Sequence, residues 1–276
     1  MLKALGHWLA DYLTSPGHSH STSPPTPLSL LRRSLRPGDV LLVEGNSRIS
    51  EAIKYLTQST WSHAALYIGD YHAPGGGETR PAQFIEAHAV EGVRVVGMDV
   101  YRDNHCRICR PVGVTQDEIS TVITFALNKL GHKYDLKNII DLMRYLIPTP
   151  PVPVRWRRRM IALGSGDPTR AICSTLIAQS FQAIRYPVLP DISTVSAATA
   201  DCPGCVEELL RVRHHSLFVP RDFDVSPYFE VVKPTITSGF DFHAMKWAQM
   251  NEEQLNELNR LTRSSTPLHS SVNRRD

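Results

Sequence analysis

Hydrophobic positions along the chain fall into short runs of period two and longer stretches of period 3.6, marking strands and helices respectively. Val40 to Val43 is a short apolar strand, and Ile49, Ile53 and Leu56 share one face of the helix that follows. His63 to Gly69, reading HAALYIG, has strand character. Its alternation puts His63, Ala65 and Tyr67 on one face and Ala64, Leu66 and Ile68 on the other. Gly75, Gly76 and Gly77 mark a loop. Further strands are expected at Phe84 to His88, Val93 to Val96 and Cys106 to Val112. Thr115 and Glu118 have capping-box spacing for a helix through Ile119, Val122, Ala126 and Leu130, stopped by Gly131.

The second half is less regular. Tyr134 to Leu146 is helical by period, and IPTPPVPVRWRRRM is an irregular Pro-rich stretch with four arginines. Asp167 and Pro168 suit an N-cap and first helical position, opening a helix with Cys173, Leu176, Ile177, Phe181 and Ile184. Phe229 to Val232 reads as a late strand and Asn251 to Leu261 as a polar helix before a disordered tail. At the other end, Leu2, Leu5, Leu9, Tyr12 and Leu13, with Trp8 beside them, suggest a short amphipathic helix. Residues 14–27 are only Ser, Thr, Pro, Gly and His, a linker composition, and the basic run Arg32, Arg33, Arg36 follows. Strands and helices mix without βαβ alternation, so the expected class is α+β with a mostly antiparallel sheet packed on helices. The expected organisation is an N-terminal helix and linker over 1–36, one domain over 37–235, and a C-terminal helix and tail over 236–276.

Composition narrows the function classes. The chain of 276 residues is 42% hydrophobic and 21% charged, a globular balance. No apolar run reaches the roughly 18 residues of a spanning helix. A net charge of +3, from 30 basic and 27 acidic groups, gives no electrostatic footprint for nucleic acid. His7 and Asp11 interrupt the first apolar residues and no small-residue cleavage site follows, so a secretory leader is not expected. With an odd count of five cysteines, a reducing cytoplasmic setting and free thiols are expected.

Cys173 sits near the start of its helix, where unpaired N–H groups and the helix dipole favour a thiolate; the alternative is a small buried core residue. His63, at a strand edge, can act as a general base. Glu86 shares a strand face with Phe84 and His88, and pairing of the two strands would set it beside His63 to hold the ring's tautomer. A solvated carboxylate is the alternative for Glu86, and His88 competes for the histidine role. Two C-x-x-C pairs, Cys106/Cys109 and Cys202/Cys205, could together make a four-thiolate zinc site. Against this, residues three apart in a strand point to opposite faces. Arg155, Arg157, Arg158 and Arg159 flank Trp156 and, with residues 1–13, could meet an anionic membrane surface.

The run RPGDVLLVEGNSRISEAIKYLTQSTWSHAALYIG resembles the opening of permuted papain-like cysteine hydrolases of the NlpC superfamily, nearest the YiiX/YebB-like group. FIEAHAVEGVRV, GHKYDL, ICSTLIAQSF and FVPRDFDVSPYFEVV then arrive in that family's order, so the resemblance spans about residues 37–235. It implies a permuted papain-like fold in which the histidine strand precedes the cysteine helix. It also implies a catalytic histidine at His63, an orienting carboxylate at Glu86 and a nucleophile at Cys173. No metal or organic cofactor is implied. Family members often carry Glu two residues after the nucleophile, where this chain has Thr175. The implied activity is cysteine-dependent hydrolysis of an amide or ester through a thioester. A lipid acyltransferase or lipase with the same triad is the first alternative, and a zinc-stabilised binding module with Cys173 buried is an alternative of another class.

Overall fold

The computed structural model describes residues 15, 23–72, 79–88, 91–132, 172–196, 206–237, 239 and 241–244. Its eight strands are β1 (Val40–Glu44), β2 (His63–His72), β3 (Thr79–His88), β4 (Gly92–Gly97), β5 (His105–Pro111), β6 (Asp191–Ser196), β7 (Val206–Arg211) and β8 (Phe229–Val232). The helices are α1 (Leu28–Ser34), α2 (Arg48–Thr57), α3 (Gln116–Leu127), α4 (Ile172–Gln182), α5 (Pro220–Val225) and α6 (Pro234–Thr237).

Every residue of β1 is buried. A strand covered on both faces reads as a continuous apolar run, which is why VLLVE shows no alternation. β1 pairs antiparallel with β2 on one side and β5 on the other. The main sheet has the order β4-β3-β2-β1-β5-β8 and every pairing in it is antiparallel. The fold is α+β, an antiparallel sheet packed on helices.

Two apolar layers sandwich this sheet. On one face Val40, Leu42, Ala64, Leu66 and Ile85 pack against Val122 and Ala126 of α3 and Leu176, Ile177 and Phe181 of α4. On the other, Leu41, Val43, Ala65, Tyr67, Phe84 and Ile108 pack against Leu31 of α1 and Met98 and Tyr101 of a 3-10 turn. The capping box of α3 forms as its spacing predicts: the Glu118 N–H donates to Thr115 Oγ1 at 3.3 Å and the Thr115 N–H donates to Glu118 Oε2 at 2.8 Å. α3 ends at Leu127, three residues before Leu130, and Gly131 takes up the turn with a φ of 75°.

The ordered core begins before Pro37. α1 falls in the stretch expected as linker and basic run, yet Leu31 is fully buried and Leu35 nearly so. Thr26 already belongs to this core: its N–H donates to the Asn104 carbonyl and its hydroxyl meets the Cys106 backbone. The arginines of α1 point outward while one apolar face, Leu28 and Leu31, supplies the packing. β6 and β7 form a separate two-stranded ribbon with no counterpart among the expected elements. A second compact unit starts at Gly239, and Phe242–Ala244 form one 3-10 turn within it. The expected helices over 1–13, 134–146 and 251–261, the glycine loop at 75–77, the Pro/Arg-rich stretch and the Asp167–Pro168 helix start lie outside the described residues.

Two stability predictions follow from this packing. Gly38 turns the chain into β1 at a φ of 92°, with its N–H on the Tyr67 carbonyl, and an added Cβ would run into the Ile119 side chain. Gly38→Ala is expected to cost roughly 1–3 kcal/mol, from left-handed strain and overpacking, read as a lowered urea midpoint. Truncation before Thr26 should spare the domain. Truncation through residue 36, which removes Leu31 and Leu35, should abolish the cooperative transition.

Candidate active site

The site lies where β2 begins. Trp61 anchors the approach: its ring is buried, its indole N–H donates to Asp224 Oδ2 at 3.0 Å, and Arg107 lies 4.9 Å from the ring centroid. Arg107 also donates to both oxygens of Asp224, at 2.7 and 2.8 Å, closing this anchor. Ser62 is buried next to it, its hydroxyl accepting the Gly45 N–H at 2.9 Å. His63 is therefore the first strand residue after a fixed segment, opposite Val43 of β1.

Glu86 reaches His63 diagonally. The register pairs Leu66 with Ile85 and Tyr67 with Phe84, so Glu86 falls against Ala65, one step along the same face from His63. A diagonal separation of about 7–8 Å is within reach of two long side chains. The His63 Nε2 to Glu86 Oε2 distance is 2.7 Å. Glu86 is 3% exposed and His63 26%.

Cys173 is the second residue of α4 and is 5% exposed. α4 packs on the face of the sheet opposite His63, but its first turn reaches the sheet's end, where thiol and imidazole meet. The Cys173 sulfur lies within the electrostatic reach of the His63 ring and the Ala64 backbone N–H, and Ser174 Oγ stands 3.9 Å from it. Nε2 is taken by Glu86, so Nδ1 is the ring nitrogen left for other chemistry. The structure thus sets His63 against Glu86, with the Cys173 thiol within electrostatic reach of the same imidazole. The hydrogen bond of His88 runs elsewhere, Nδ1 accepting the Glu91 N–H at 3.3 Å.

The electrostatics follow from this placement. Burial by itself would raise the Cys173 thiol, but the charge and hydrogen bond of His63 and the Ala64 N–H outweigh it and lower the thiol's pKa. Burial would lower the His63 imidazole, and the Cys173 sulfur and the Glu86 carboxylate together raise it. Burial would raise the Glu86 carboxyl, and hydrogen bonds from His63, Tyr101 and Arg94 hold it well below the usual carboxylate range. A thiolate–imidazolium pair beside an ionised carboxylate is the arrangement these shifts favour.

Two members of this network are absent from the sequence reading. Arg94 donates from Nε and Nη2 to Glu86 Oε1 at 2.9 and 2.7 Å, and Tyr101 donates its hydroxyl to Oε2 at 2.7 Å. A charged residue inside the apolar run VRVV was a readable signal for Arg94. Tyr101, in a short turn, left none.

The other thiols part ways. Cys106 faces the α1 layer and Cys109 the α3/α4 layer, so the two cannot ligate one metal. Burial pushes Cys106 up to about 12 and raises Cys109 as well. A four-thiolate zinc site built on both pairs therefore fails; Cys202 and Cys205 lie outside the described residues, as do residues 1–13 and Arg155, Arg157, Arg158 and Arg159. Among the described residues no group of three or more His, Cys, Asp and Glu could hold a metal ion, and no helix is long and apolar enough to cross a membrane.

Residues 34–145 match the family described as permuted papain-like amidase enzyme, YaeF/YiiX, C92 family. The matched stretch contains His63, Glu86, Arg94 and Tyr101 and ends before Cys173. Among solved structures, the metalloprotein yiiX from Escherichia coli O157:H7 is 14% identical, over 72% of this chain and 97% of that one, with a TM-score of 0.39. A search of the curated proteins finds no match.

The thiol contrast is directly measurable. At neutral pH iodoacetamide should label Cys173 well ahead of Cys106 and Cys109, provided the reagent reaches the sulfur past His63. Because the thiol's pKa is lowered, labelling should persist as pH falls below the ordinary thiol value near 8.5 and drop only as pH passes the lowered value. In His63→Ala the inflection should return toward an ordinary thiol. An unchanged inflection in that variant would contradict the ion pair.

Proposed function

We propose that the chain, whose residues 34–145 match the permuted papain-like amidase family, is a cysteine-dependent hydrolase with a Cys173–His63–Glu86 triad. The observation that carries this reading is the 2.7 Å contact between His63 and the buried Glu86 carboxylate, with the Cys173 thiol in the first turn of α4 under the influence of the same imidazole. Three unrelated segments supply the triad's members, and the resulting shifts run in the direction a thiol nucleophile requires.

In the first half-reaction the Cys173 thiolate attacks the carbonyl carbon of an amide or ester, forming a C–S bond and a tetrahedral oxyanion. The backbone N–H of Cys173, in the first turn of α4, contributes to stabilising that oxygen. Protonated His63 gives its proton to the departing nitrogen or oxygen as the C–N or C–O bond breaks, leaving a thioester. In the second half, His63 takes a proton from water, the hydroxide adds to the thioester carbonyl, and the C–S bond breaks. The carboxylic product leaves and the thiolate–imidazolium pair is restored. Glu86 accepts the Nε2–H throughout, which keeps Nδ1 directed at the sulfur.

The amidase character of the matched family makes an amide the first substrate class to try. Cys173→Ala and His63→Ala should each lower hydrolysis by on the order of a thousandfold or more, and the double variant should be no slower than either, because the pair acts as a unit. Glu86→Gln should cost less than either. His88→Ala should stay near wild type, as its ring does not touch the thiol. Hydrolysis of p-nitrophenyl acetate, with its burst of p-nitrophenol, reads all five variants. Full activity in Cys173→Ala would overturn the reading, and loss in His88→Ala with retention in His63→Ala would move the base.

A further inference from the structure

The carboxylate of Glu86 is held by more than the imidazole it orients. We infer that Arg94 and Tyr101 are positioning residues for the reaction, fixing the plane of the Glu86 carboxylate so that Oε2 stays aimed at His63. The inference rests on the Cys173–His63–Glu86 reading above.

The two oxygens of Glu86 are divided between different partners. Both donors of the Arg94 guanidinium converge on Oε1, at 2.9 and 2.7 Å, whereas Oε2 takes the Tyr101 hydroxyl and the His63 ring, each at 2.7 Å. Rotation about the last side-chain bond would break all four contacts at once. The clamp is built from two elements. Arg94 is the cross-strand partner of Glu86 on β4, and Tyr101 comes from the turn that follows β4. Arg94 is fixed in turn at its outer end, where Nη1 donates to Glu91 Oε2 at 2.7 Å. Tyr101 is 3% exposed and packs edge-on to Phe84, so its hydroxyl has little freedom to turn away.

The chemistry gives this clamp a task that packing alone does not. In each turnover His63 loses its charge when it hands its proton to the leaving group. At that moment the imidazolium no longer supports the buried Glu86 charge, and Arg94 is the charged side chain still bonded to it. Burial would otherwise draw a proton onto the carboxyl. A protonated Glu86 could donate to Nε2 instead of accepting from it. The ring would then carry its proton on Nδ1, the nitrogen that must accept one from water. Arg94 thus preserves the productive tautomer through both protonation states of His63. Tyr101 cannot supply charge, but its phenol is raised well above its ordinary value by burial and by Glu86, so it remains an O–H donor across the working range.

The test compares full-length wild type, Arg94→Met, Arg94→Lys and Tyr101→Phe. Two readouts are followed against pH: p-nitrophenol release from p-nitrophenyl acetate and iodoacetamide labelling of Cys173. Arg94→Met should slow release by roughly ten- to a hundredfold, the range for a misplaced reacting group, and move the acid limb of the profile to higher pH. Arg94→Lys should return the limb toward wild type without restoring the rate. An ammonium supplies the charge but not two converging donors in a rigid fork. Tyr101→Phe should slow release a few-fold and move the limb the same way by less.

A wild-type rate and limb in folded Arg94→Met, or full rescue of both by Lys, overturns the inference. If Arg94→Met fails to fold, Tyr101→Phe decides: an unmoved limb with a wild-type rate overturns it. Failure of the underlying triad reads differently, since Cys173 labelling would then be indifferent to His63→Ala. A His63-dependent thiol with an Arg94-independent profile would sink the clamp alone.

Discussion

A carboxylate charge buried inside a sheet must be met by partners or taken back by a proton, and Glu86 is met on every side. Its four hydrogen bonds come from β2, from β4 and from the turn after β4. Isolated, such a charge would cost several kcal/mol even after relaxation. Ringed by donors it becomes the fixed point from which His63 takes its orientation and, through His63, Cys173 its acidity. The order β4-β3-β2 is therefore more than a way of covering apolar surface, since it delivers one charged side chain from each of three adjacent strands to a single spot.

The two apolar layers have different consequences for that spot. The α3/α4 layer brings the thiol, because α4 lies along the sheet and its first turn reaches the end where β2 starts. The α1 layer seals the face on which Glu86 and Tyr101 sit, with Leu31 fully buried there. Removing water from that face is what gives the Glu86 contacts their strength, since ion–dipole and ion–ion terms grow as the local dielectric falls.

Much of this was legible in the residues. β1, β2, β5, α3 and β8 followed from apolar runs and from the Thr115–Glu118 spacing, because each is buried on a face wide enough to imprint its period. Strand parity grouped His63 with Ala65 and Tyr67, and Glu86 with Phe84 and His88, without saying whether the two sets share a sheet surface. The direct contact of His63 with Glu86 depended on a register that parity does not specify. α1 was hidden because a seven-residue helix with one buried face resembles its Pro-rich and basic neighbours. The β6–β7 ribbon was hidden for the opposite reason: Ile192, Leu209 and Leu210 are all substantially exposed, so no apolar face alternates with a polar one. The meeting of Cys173 with His63 around the end of the sheet is a tertiary event with no local trace.

The order in which the chain supplies these parts also sets when its reactivity can appear. During synthesis the strands that carry His63, Glu86 and Arg94 and the turn that carries Tyr101 emerge first, and β1 to β5 can pair among themselves while more than sixty residues still separate them from the thiol. Until α4 docks, Cys173 is an ordinary cysteine with an ordinary acidity. An incomplete nascent chain therefore holds a prepared imidazole and no activated sulfur. With the proposed triad, the lowered pKa of the thiol requires the closing of the helical layer, so it is a property of the finished domain and of no shorter piece of the chain.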